Sequence, residues 1–128
     1  MRYLVDTHAL LWFVAGDLSL SPRARNLIEN PAHEILVSAA SAWEIATKYR
    51  IGKLPEARLL AVNFPETIAG LGFAELPISA RAAQLAGGMT AAHRDPFDRV
   101  LAAQARLESV PLVTNDPVFG EFGIEVAW

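Results

Sequence analysis

The 128-residue chain has no cysteine, which excludes disulfide bonds and thiolate metal centres. It has no long apolar run either. Acids, arginines and prolines interrupt every hydrophobic stretch, well short of the roughly 20 residues that a membrane-spanning helix requires. Low-complexity segments, long linkers and internal repeats are missing as well. Positive charge is scarce: 11 Lys and Arg stand against 14 Asp and Glu, a net charge of −3. That balance argues against a partner bound by bulk positive charge. It leaves open a site where a metal ion locally reverses the sign of an acidic pocket. The first five residues, Met1 to Val5, give way at once to Asp6, too short for the apolar core of a secretory signal. The cytoplasm is the expected compartment.

What the chain does have is apolar residues, 52% of the total, enough for one domain, residues 1–128, around one core. Short apolar runs at Tyr3–Val5, Ile35–Val37 and Pro111–Val113 read as buried strands, with a fourth at Ile124–Val126 and a weaker strand at Ala74–Leu76. Between them lie helical patterns. Ala9–Val14 is stopped by Gly16-Asp17, and a helix from Pro22 capped by Ser21 yields at Asn30-Pro31. Ala39–Ile51 is stopped by Gly52. Two short helices are expected over 56–71 with a break at Pro65. A helix capped by Ser79 runs to Leu85, where Gly87-Gly88 opens a loop, and another runs from Asp95-Pro96 to Leu107. Strands separated by helices imply an α/β fold: a small, mostly parallel sheet of about four to five strands with helices on both faces. Sites in such sheets lie at the carboxyl ends of the strands.

Four carboxylates stand where strands end or helices begin, and two of them, Asp6 and Asp116, fall at such strand ends. Asp6 ends the first strand, Glu44 lies in the Ala39–Ile51 helix, Asp98 follows Asp95-Pro96-Phe97, and Asp116 follows the Leu112–Val113 strand. Each has a plain alternative. Asp6 and Asp116 suit helix or turn caps, and Glu44 completes a Ser-x-x-Glu capping box with Ser41. Yet Ala40, Trp43, Thr47 and Ile51, one turn from Glu44, form a stripe expected to face inward, where a glutamate is costly without a ligand. Pro96 makes Asp95 the natural cap. Asp98 then heads a stripe with Leu101, Ala102 and Ala105, which makes it the better ligand and Asp95 an outer candidate. Acids gathered in one place must be paired, protonated or metal-bound, and Mg²⁺ or Mn²⁺ takes oxygen ligands while keeping positions for water and phosphate. The pattern therefore points to metal-assisted phosphodiester hydrolysis.

The hydroxyls of Thr7, Ser38 and Thr114 stand beside the acids and are candidates for orienting them. Lys48, Arg50 and Lys53 close the Glu44 helix, where they complement its dipole. Lys48 and Arg50, with Arg94 and Arg99, are also the candidate RNA contacts. No histidine is read as a metal ligand: His8 suits local hydrogen bonding, His33 a solvated turn, and His93 a loop that could approach a substrate. Trp12, Phe13, Trp43 and Trp128 read as core or oligomer-interface residues.

With those residues in place, the chain resembles the PIN-domain family, and within it the toxin ribonucleases of the VapC type. The likeness is carried by Leu4–Trp12, Val37–Ala46, His93–Arg99 and Leu112–Asp116, in that order. It implies a PIN-like fold and Mg²⁺- or Mn²⁺-dependent endoribonuclease activity, with Asp6, Glu44, Asp98 and Asp116 as the catalytic, metal-holding acids. It also implies a homodimer and inhibition by a cognate antitoxin. Two alternatives stand beside it: a catalytically silent PIN-like binding module, and a phosphatase using Asp6 as nucleophile, which Thr7-His8 after Asp6 disfavours. Four consecutive large apolar residues, Leu10–Phe13, exceed what one core-facing stripe needs. Their helix is accordingly expected either to be simply buried or to help form an apolar groove for an antitoxin helix.

Overall fold

The computed structural model describes residues 1–128. Its strands are β1 (Arg2–Val5), β2 (Glu34–Ser38), β3 (Ala74–Leu76), β4 (Leu112–Val113) and β5 (Val126–Ala127). They form one five-stranded sheet in the order β3-β2-β1-β4-β5, with every neighbouring pair parallel. The expected α/β architecture is present, and no helix is long and apolar enough to cross a membrane.

Strand pleating sorts the core into two layers. Val5, Val37 and Val113 pack on one face of the sheet with Leu10 of α1 (Thr7–Ala15), Ile28 of α2 (Pro22–Glu29) and Ile45 of α3 (Ala39–Arg50). Leu60 of α4 (Arg58–Val62) and Ile68 of α5 (Phe64–Gly70) complete that layer. Their chain neighbours Leu4, Leu36 and Leu112 point the other way, onto Leu101, Ala102 and Ala105 of α7 (Pro96–Glu108) and onto Phe119 and Phe122. Helix α6 (Ala80–Gly88) packs against α7. A side-chain period of two makes this sorting automatic. Central strands buried on both faces read as continuous apolar runs, which is why they were legible.

Caps set several boundaries where the residue types suggest. Asp6, Ser21, Ser79 and Asp95 accept hydrogen bonds from the first turns of α1, α2, α6 and α7, and Gly16 closes α1 at φ 66°. Four expectations shift. The α4–α5 break falls at Asn63, and Pro65 sits inside the first turn of α5, where a missing N–H costs nothing. Gly87-Gly88 forms the last turn of α6 instead of opening a loop, and Met89 N–H still bonds to the Leu85 carbonyl. Strand β5 begins at Val126, since the β4 register pairs Leu112 with Val126. The Trp43 and Ile51 ends of the α3 stripe face solvent, at 60% and 52% exposure, because α3 turns Ile45 and Glu44 toward the interior instead.

Candidate active site

At the carboxyl edge of the sheet, β1 ends and Asp6 caps α1, its Oδ1 taking the Ala9 N–H at 2.7 Å. Its side chain is buried. That burial raises its pKa against the hydrogen bonds from Thr114 and the Ala9 N–H, and the charge of Asp116 pushes the same way as burial. Asp116, after β4, does fill the capping role that was its plain alternative: it accepts from Val118 N–H at 3.0 Å at the start of a 3-10 helix (Pro117–Phe122). Its own N–H donates to Thr114 Oγ1 at 3.0 Å. Thr114 thus meets the Asp6 carboxylate and the Asp116 backbone. Asp6 and Asp116, with His8, Trp12, Asn115 and Pro117, line a cleft of about 430 Å³.

A second acidic group forms where α3 meets α7. The capping box expected between Ser41 and Glu44 does not form. Ser38 caps α3, and Ser41 turns inward to share a 2.9 Å hydrogen bond with Thr7. Glu44 is only 3% exposed. Its Oε2 pairs with the Lys48 ammonium one turn on, while its buried Oε1 has no hydrogen-bond partner. An unpartnered buried carboxylate oxygen is costly, and a cation is the ligand it suits. Asp98 lies alongside, with a pKa raised first by burial and further by the charges of Asp95 and Glu44, against a hydrogen bond from His93. Asp95 caps α7 through Phe97 and Asp98 N–H, at 2.8 and 3.2 Å.

The structure therefore brings the acids together as two groups, Asp6 with Asp116 and Glu44 with Asp98 and Asp95. The Thr7–Ser41 bond ties the start of α1 to the start of α3 between them. The trio whose ligand atoms fall within 4.8 Å of one another is His93, Asp95 and Asp98, not the four acids singled out from sequence. His93, read from sequence as a loop residue that could approach a substrate and not as a ligand, joins the acids here. Its Nε2 lies 2.8 Å from Asp98 Oδ2, and the available signal was its position five residues before Asp98 in His93-Arg94-Asp95-Pro96-Phe97-Asp98. The gathered carboxylates, two of them with raised pKa values, and one orphaned oxygen fit a divalent cation.

Other candidates move. Arg99, read as an RNA contact, instead spends its guanidinium on the carbonyls of Ala86, Met89, Ala91 and His93. Lys48 is held by Glu44 and is not a free phosphate contact, while Arg50 and Arg94 remain exposed. Thr7 and Ser38 bond to Ser41 and to the Ala40 N–H, not to an acid. His33 does lie in the turn before β2 but is half-buried, its Nδ1 meeting the Leu27 carbonyl at 2.9 Å and its ring packing on Tyr3. Trp43 lies outside the core, 60% exposed, edge-on to Phe97 at 4.8 Å. Beside His8, α1 and α4 frame an apolar cavity of about 320 Å³ lined by Leu11, Trp12, Val14, Leu59 and Leu60.

The family model of the PIN domain matches residues 3–125. The chain belongs to the PIN domain family. A stretch of 54 residues, 42% of this chain, is 41% identical to ribonuclease VapC16 of Mycobacterium tuberculosis, and it spans 38% of that relative's length. VapBC2 from Rickettsia felis, solved bound to a DNA fragment from its promoter, superimposes with a TM-score of 0.70 at 16% identity. That match covers 98% of this chain and 96% of the other. FitAcB from Neisseria gonorrhoeae gives a TM-score of 0.60 at 20% identity, over 97% and 95% of the two chains. At these identities the solved structures attest the fold.

Proposed function

We propose that this PIN domain, acting as one unit over residues 1–128, is a metal-dependent endoribonuclease and the toxin of a toxin–antitoxin pair. The observation that carries the reading is the buried, unpartnered Oε1 of Glu44 beside an Asp98 whose pKa burial and neighbouring acids raise. Family membership and the partial likeness to a ribonuclease support it. Asp98 and Glu44, with Asp6 and Asp116 across the Thr7–Ser41 bridge, would hold Mg²⁺ or Mn²⁺. Such an ion, when bound, lowers the pKa of water toward neutrality and offsets charge growing on phosphate oxygens.

The chain's own groups prepare the site. Burial makes the Asp6 and Asp98 carboxylates unfavourable as free anions, so a cation gains affinity from relieving them. Lys48 tethers one Glu44 oxygen and leaves the other without a donor. An acid that is not a direct ligand is placed to orient the attacking water by hydrogen bonding. The exposed Trp43, braced by Phe97 next to Glu44 and Asp98, offers a stacking face for a base of single-stranded RNA. A covalent phosphatase role for Asp6 is disfavoured by its burial and by the Ala9 N–H on Oδ1.

For partners we infer a homodimer and an antitoxin helix seated in the apolar cavity between α1 and α4. Leu10 is fully buried in the core, while Leu11 and Trp12 are left half-exposed on the cavity wall. The test is RNA incubated with the protein in Mg²⁺ or Mn²⁺ and in chelator. Cleavage that requires metal supports the nuclease. RNA left intact in every metal would favour a binding module that keeps the fold.

A further inference from the structure

The segment from Met89 to Asp95 joins α6 to α7 without regular structure, yet it delivers His93 and Asp95 to the site. One side chain holds it. Arg99 Nε donates to the Ala86 carbonyl at 2.8 Å, Nη1 to the Ala91 and His93 carbonyls at 2.9 and 2.8 Å, and Nη2 to the Met89 carbonyl. Four of the five guanidinium N–H groups thus go to backbone oxygens, one in the last turns of α6 and three in the segment that follows it, and no carboxylate pairs with the charge. The loop so held places His93 Nε2 2.8 Å from Asp98 Oδ2. Asp98 Oδ1 accepts no hydrogen bond within the protein. The His93 ring is further braced edge-on by Phe122 at 6.0 Å.

We propose that Arg99 is a positioning residue of the acidic site: by clamping the 89–93 carbonyls it seats His93 on Asp98, which fixes how the Asp98 carboxylate is presented to a cation. The inference rests on reading Asp98 as a cation ligand. Partners that orient a ligating carboxylate are worth about 10- to 100-fold in metal affinity. A lysine cannot replace the guanidinium, because its ammonium cannot span divergent carbonyls in a planar fork. Loop stabilisation alone would lower the melting temperature of an Arg99 variant without changing the Mn²⁺ affinity of the folded protein.

The experiment titrates Mn²⁺ alone into the full chain by calorimetry, with circular dichroism to establish folding, for Arg99→Lys, His93→Ala, His93→Gln and the Arg99→Lys/His93→Ala double variant. Arg99→Lys and His93→Ala should each weaken Mn²⁺ binding about 10- to 100-fold. The double variant should be no weaker than His93→Ala, since Arg99 acts through His93. His93→Gln, which keeps a donor for Asp98, should recover much of the loss. In metal-free protein the hydrogen-bonded His93 Nε2–H proton resonance should disappear in Arg99→Lys. Wild-type affinity in a folded Arg99→Lys, or losses that multiply in the double variant, would overturn the proposal. Should Arg99→Lys not fold, wild-type affinity in His93→Ala overturns it on its own. Mn²⁺ binding without RNA cleavage by the wild type would sink the nuclease reading and leave this one standing. Cleavage with unperturbed variants would do the reverse, and a wild type that binds no Mn²⁺ overturns both.

Discussion

Replacing Asp6 by asparagine separates its two roles. As a cap, Asp6 serves Ala9 N–H through Oδ1, and asparagine caps about as well as aspartate, whereas alanine loses about 1 kcal/mol. As a ligand, Asp6 offers a hard anionic oxygen that asparagine lacks. As a buried anion, it burdens the metal-free fold: its pKa is raised by burial. For a raised carboxylate, folding is favoured below the ordinary unfolded value, and that contribution is lost as pH rises through the folded value. Metal-free wild type should therefore lose stability upward from about pH 4 through the raised Asp6 and Asp98 values. Asp6→Asn should lack the Asp6 share of that loss and melt at or above wild type at pH 7 to 8. Asp6→Ala should melt roughly 4 °C below Asp6→Asn, the shift that ~1 kcal/mol gives in a chain of this size. Saturating Mn²⁺ at 100 times Kd should stabilise wild type by about 2.7 kcal/mol and Asp6→Asn by far less, with RNA cleavage lost. Melting curves with and without Mn²⁺, paired with a cleavage assay, decide it. An Asp6→Asn protein that keeps both the metal-dependent gain and cleavage would refute the ligand assignment.

Asp95→Asn should be much milder than Asp98→Asn in Mn²⁺ affinity, since Asp95 already caps α7 through two N–H groups; equal, severe losses would make Asp95 a direct ligand. Lys48→Met leaves the Glu44 carboxylate buried with no partner at either oxygen, so metal-free stability should fall by about 2 kcal/mol, and Mn²⁺ should restore part of it in thermal melts. Trp43→Ala should raise KM for single-stranded RNA about 10-fold, the effect of losing one stacked base, with kcat little changed; an unchanged KM would remove it from the substrate path. Leu59→Arg, at an exposed position on the rim of the α1–α4 cavity, should abolish co-purification with the product of the adjacent reading frame while leaving RNA cleavage intact.

Local chemistry, written in short stretches of chain, was readable from the sequence. The apolar runs at Tyr3–Val5, Ile35–Val37 and Pro111–Val113, the caps Asp6, Ser21, Ser79 and Asp95, and the stop at Gly16 depend on neighbours a few residues away. So the parallel α/β layout, the carboxyl-edge location of Asp6 and Asp116 and the capping role of Asp95 could be read from sequence. Pairings across long chain separations could not. Ser41 looked like half of a capping box, but Thr7, 34 positions away, claims its hydroxyl. Glu44 was expected to face inward, but which of its oxygens is held by Lys48 and which is orphaned is decided by the packing. Arg99 looked like an RNA contact, yet the end of α6 and the segment after it bring four carbonyls to it, and the same segment delivers His93 to Asp98. A side chain's local setting fixes its helix or strand. Which of its polar atoms is left in need of a partner depends on distant segments brought alongside by the sheet order, and that is settled only once the chain has packed.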